Sequence, residues 1–202
     1  GIHRRSEFIK ECNQRVVDFC EGADLLVADS QYTDQEYETK RGWGVTRGTG
    51  GEGGPPVPAA EIPAYFGKLE QQAISVNFRT YYWAPQARMK VMGDGAGSPP
   101  AAQLEEMGRE VKLAMQNGAF GITSALIYPP SSFQTTSDLV TLAKVAAQCD
   151  GFYATHMRDE SEGLVKAVEE AIEIGEKGGV KVEIFHLKGA YAPGWGKLMP
   201  QA

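Results

Sequence analysis

This chain has little cysteine, little histidine and no long apolar run, and each shortage removes a class of protein. Cys12, Cys20 and Cys149 are the only cysteines in 202 residues. Their number is odd and no CxxC spacing occurs, so neither a disulfide framework nor a zinc knuckle is implied and the thiols read as reduced. No apolar stretch approaches the roughly 20 residues of a membrane span. The opening GIHRRSEF lacks the apolar region of a signal peptide. The reading is a cytoplasmic protein with no membrane partner. Positive charge is also scarce: 20 Lys and Arg against 26 Asp and Glu leave a net charge of -6. The basic residues are scattered rather than gathered in a stripe, so nucleic acid is not an expected partner. The chain opens at Gly1 with no methionine and stops at Gln201-Ala202 with no element to finish the segment, so both ends read as cut.

What is present is an ordinary globular composition, 42% hydrophobic and 23% charged, enough to bury a core. Residues 7–21 place Phe8, Cys12, Val16, Phe19 and Cys20 on one helical face. ADLLVAD (23–29) reads as a short buried strand ending at Asp29. TDQEYETKR (33–41) opens with a Thr cap and Glu36, a capping-box pattern. GVTRGTGGEGGPPVP (44–58) cannot hold a regular element, because glycine costs entropy and proline removes donors. The segment boundary falls there, giving a segment 1–44, a linker 45–58 and a main part 59–202.

Beyond the linker a rhythm sets in. Helices are expected over 62–72, 101–117, 137–148 and 162–177, and strands over 73–78, 119–124, 151–156 and 180–186. Alternation of this kind predicts βα units on a parallel sheet with right-handed crossovers. The fold class is α/β, about four parallel strands with helices making part of a (β/α) barrel, preceded by a short α/β segment.

Two of the three histidines stand at strand ends, in Ala154-Thr155-His156 and Ile184-Phe185-His186. The C-terminal ends of parallel strands form the ligand-binding face. Successive strand ends would put two imidazoles about one interstrand spacing apart, which suits one metal ion. The alternative is a pair of hydrogen-bonded core histidines.

GAFGITSALIYPP (118–130), YATHMRDE (153–160) and IFHLKGAYAPGWGK (184–197) resemble, in order and spacing, motifs of the N-acyl-D-amino-acid deacylases, which belong to the metal-dependent amidohydrolases. The resemblance runs from about residue 59 to 202. It implies that His156 and His186 are zinc ligands and that Tyr128 and Lys188 help hold a substrate carboxylate. Zinc would polarise the scissile carbonyl and activate a water, while a lysine and a tyrosine bind a carboxylate by charge and hydrogen bond. Arg158, two residues after His156, either adds a second positive contact to substrate or pairs with Asp159 or Glu160. The family's HxH pair, its early cysteine ligand and its late catalytic aspartate have no counterpart, so the general base is unassigned. NFRTYYWAPQARMKVMG (77–93) keeps the family's Asn, Arg and Met-Gly, with Trp83-Ala84-Pro85 where a glycine-histidine turn is common.

Residues 1–44 are similar to something else. ADLLVADSQYTDQEYETKRGWG resembles a segment of metallo-β-lactamase-fold hydrolases, which implies a metal-bridging role for Asp29; a plain strand-end role is the alternative. Two hydrolase pieces joined by a Gly/Pro linker read as a chimera. The expected function is a metal-dependent hydrolase of an amide or ester bond in a small carboxylate-bearing substrate. The alternative is a folded, catalytically incomplete remnant. A half-barrel also leaves two open sheet edges, so a homo-oligomer, a dimer first of all, is expected.

Overall fold

The computed structural model describes residues 25–28, 56–72 and 79–202. Among these residues five strands form one sheet: β1 (Leu25–Ala28), β2 (Tyr82–Trp83), β3 (Gly121–Ala125), β4 (Phe152–His156) and β5 (Lys181–Phe185). Their spatial order is β1-β5-β4-β3-β2, and every neighbouring pair is parallel. Parallel neighbours need crossovers. Helices supply them: α1 (Ile62–Gln71) and α2 (Ala84–Met92) flank β2, α3 (Ala101–Gln116) leads to β3, α4 (Thr136–Ala147) joins β3 to β4, and α5 (Leu164–Gly178) joins β4 to β5.

The helix ends are written locally. Thr135 accepts from the Asp138 backbone N–H while the Asp138 carboxylate accepts from that of Thr135, a capping box that starts α4. Gly179, at φ 70, closes α5 in the left-handed conformation that glycine adopts without steric cost. On the sheet, Ile122, Tyr153 and Val182 lie in register across β3, β4 and β5. With Ile184 they meet Val111, Leu139, Leu142, Val168 and Ile174 of the helices in one buried core. Because side chains alternate, Thr123, Ala154 and Glu183 share the opposite face, and Ala125 and His156 register together at its C-terminal end. The core thus clamps one side of β4 and leaves the other side to the site.

Expected strands 119–124, 151–156 and 180–186 are present with slightly different bounds, and the expected helices from 62 onward all form. The expected strand 73–78 lies outside the described residues, as do helix 7–21, helix 33–41, most of the linker, and Asp29. Two elements were absent from the sequence reading. The strand beside β3 is Tyr82–Trp83, and a helix starts directly after it at Ala84. Pro85 fits this helix because, in the first helical turn, proline gives up an N–H that has no intrahelical partner. Nor does the sheet stop at four strands: β1, from the segment assigned to 1–44, pairs with β5 from Leu25 opposite Val182 to Ala28 opposite Phe185. Among the described residues no helix is long and apolar enough to cross a membrane.

Candidate metal centre

His156 is the last residue of β4, and its side chain is buried on the face away from the core. β5 ends one residue before His186, which turns out of the strand at φ 39, a left-handed backbone that non-glycine residues adopt at some cost. That turn carries its imidazole toward β4. The two rings meet edge to face with centroids 4.5 Å apart. The adjacent strand ends therefore bring the two histidines together.

A third group joins them, one that the sequence alone offers only as a partner for Arg158. Glu160 Oε1 lies 3.4 Å from His156 Nε2 and 3.1 Å from His186 Nδ1. One ligand atom from each of His156, Glu160 and His186 falls within 4.8 Å of the other two. Two imidazoles and a carboxylate make a donor set that suits a divalent metal ion. The loop after β4 fixes Glu160. Asp159 accepts from the N–H and hydroxyl of Ser161, bonds that hold its carboxyl below the usual range, and the Ala190 N–H donates to the Glu160 carbonyl at 2.7 Å. The signal available in sequence was a carboxylate four residues beyond a strand-end histidine, which gains meaning only once the loop is seen to fold back.

Lys188 reaches the same cluster. Its Nζ donates to Glu160 Oε1 at 2.6 Å and lies 2.8 Å from His186 Nδ1. Tyr128 sits at the rim, exposed, with its ring centroid 5.5 Å from that of His156. Its loop is tied to the sheet by Leu126 N–H donating to the His156 carbonyl and contains a cis Pro129-Pro130 bond. Arg158 is turned elsewhere. Its Nε and Nη2 grip both oxygens of Glu170, and Nη1 and Nη2 donate to the carbonyls of Ser132 and Gln134. The Glu170 carboxylate makes this guanidinium hold its proton even more tightly than usual. The partner is thus Glu170, not Asp159 or Glu160, and the pair braces the loop after β3 against α5.

No family model matches this chain. An N-acyl-D-glutamate deacylase of Alcaligenes xylosoxydans xylosoxydans is 30% identical over 138 residues, which is 68% of this chain and 28% of that protein. The crystal structure of D-aminoacylase, described as defining a novel subset of amidohydrolases, aligns with a TM-score of 0.70 and 25% identity over 87% of this chain and 43% of that one. The resemblance to the D-aminoacylases holds. An N-acyl-D-glutamate deacylase from Bordetella bronchiseptica, solved with zinc and a phosphonate mimic of the tetrahedral intermediate, aligns with a TM-score of 0.63 and 27% identity over 79% of this chain and 38% of that one. The α/β sheet described above matches a fragment of the D-aminoacylase barrel. The chain spans a little over a quarter, 28%, of the length of the curated deacylase it matches. The metallo-β-lactamase resemblance of residues 1–44 rests on the sequence alone.

Proposed function

We propose that this chain carries the metal-holding and carboxylate-anchoring part of a hydrolase that cleaves the amide bond of an N-acyl D-amino acid or a similar small carboxylate-bearing substrate. The observation that carries the reading is the meeting of His156 and His186 at 4.5 Å on adjacent parallel strand ends, in a stretch similar to deacylases of which one was solved with zinc. His156 and His186, with Glu160 beside them, are the residues that would hold a divalent ion. When bound, such an ion supplies Lewis acidity toward a scissile carbonyl and toward water.

The remaining work falls to the chain's own groups. On this reading Lys188 pairs with a substrate carboxylate, and Tyr128 donates its hydroxyl to the same group. Arg158 supports this arrangement from behind, holding the Tyr128 loop through Ser132 and Gln134.

The test uses the purified chain, stripped with chelator and reconstituted with zinc. About one zinc per chain, lost in both His156→Ala and His186→Ala, together with zinc-dependent release of D-glutamate from N-acetyl-D-glutamate, is the expected result. A phenyl ester of the same acid reports on ester cleavage. If neither zinc nor product is detected, the hydrolase reading fails and an inactive remnant takes its place.

A further inference from the structure

Three nitrogen atoms converge on one oxygen. Glu160 Oε1 accepts from Lys188 Nζ at 2.6 Å and lies 3.1 Å from His186 Nδ1 and 3.4 Å from His156 Nε2. The Lys188 ammonium also lies 2.8 Å from His186 Nδ1, so it draws on two of the lone pairs a metal ion would use. A lone pair serves one cation at a time. Bound lysine and bound metal therefore compete for Glu160 and His186.

The two partners differ in their freedom to leave. Only 7% of the Glu160 side chain is exposed, its carbonyl is held by Ala190 N–H, and the Asp159–Ser161 turn precedes α5. A buried carboxylate so fixed needs a cation beside it. Lys188 has 48% of its side chain exposed, on a flexible four-carbon stem that can turn toward solvent.

On the metal reading proposed above, we propose that Glu160 is the third protein ligand of the ion, and that the Lys188 ammonium is an exchangeable place-holder for the metal. Loading the ion expels the ammonium from Glu160, and the same ammonium becomes available to a substrate carboxylate. Substrate binding is thereby coupled to metal occupancy.

Zinc affinity of the full chain, measured by competition with a chromophoric chelator, tests this without reference to turnover. Lys188→Met is expected to bind zinc about tenfold or more tightly than the parent chain, and Glu160→Gln about ten- to a hundredfold more weakly. The visible absorption of the cobalt-loaded protein should change with Glu160→Gln and keep its shape with Lys188→Met. Circular dichroism checks folding; should Glu160→Gln unfold, the half-exposed Lys188→Met carries the test alone. Zinc held by both histidines with no tightening in Lys188→Met overturns the place-holder, and an unchanged affinity and cobalt spectrum in folded Glu160→Gln overturns the third ligand. A parent chain that binds no zinc while Lys188→Met does supports the exchange. Absence of zinc from both overturns the metal reading itself and this inference with it.

Discussion

Replacing Arg158 by methionine keeps most of the aliphatic stem and removes every donor of the guanidinium. In the parent chain that group makes two bonds of 2.8 Å to the Glu170 carboxylate, one of 2.9 Å to the Gln134 carbonyl and one of 3.2 Å to the Ser132 carbonyl. Removing one partner of a fully buried pair costs about 3–5 kcal/mol, because the other charge is stranded. Here 34% of the Arg158 side chain and 13% of that of Glu170 are exposed, so solvent screens part of the interaction. Thr136 also still donates to Glu170 at 2.8 Å. A loss of about 2–3 kcal/mol remains, which in a chain of this size lowers the melting midpoint by roughly 4–12 °C. Urea and thermal unfolding of Arg158→Met, Glu170→Gln and the double variant supply the assay, and the cycle should return a coupling of more than about 1 kcal/mol. A near-zero coupling, with the midpoint unmoved, would refute the bracing role. A raised KM for carboxylate substrates against neutral ones, at unchanged stability, would instead make Arg158 a substrate contact.

Other outcomes follow from the sheet. At Gly121 an added Cβ would run into the backbone of Phe152, 2.6 Å from its nitrogen, so Gly121→Ala forces β3 and β4 apart; a loss of at least about 1–3 kcal/mol is expected, and an unchanged urea midpoint counts against the tight β3–β4 pairing. Burial raises the Glu183 carboxyl above its ordinary value, an effect partly offset by the Tyr81 hydroxyl donating to it at 2.7 Å. Between the ordinary and the raised value the folded chain binds more protons at this site than the unfolded one, so this contribution to stability falls as pH rises through that window. The difference in urea midpoint between the parent chain and Glu183→Gln should follow that slope, and a difference independent of pH would show that Glu183 does not titrate this way.

The alternating helix and strand pattern, the parallel sheet and the two strand-end histidines were legible in the sequence, because they rest on local periodicity and on glycines such as Gly179 that stop a helix. Motif order made the deacylase resemblance visible for the same reason: it is carried by short contiguous runs. The position of Glu160 was not legible, since a carboxylate four residues past a strand could lie anywhere until its loop closes on Ala190. The partner of Arg158 was equally open. Asp159 and Glu160 were nearer in sequence, and only the packing of α5 brings Glu170, twelve residues on, against the loop after β3. β2 is two residues long and too short to show a period, and the nine-residue helix behind it is short as well. The place of β1 next to β5 depends on pairing across more than 150 residues, for which no local pattern exists. Local chemistry determined which residues could serve a metal and which elements would carry them. Tertiary structure decided which of those groups share one oxygen atom, because that depends on the adjacency of strands and the closure of loops far apart in the chain.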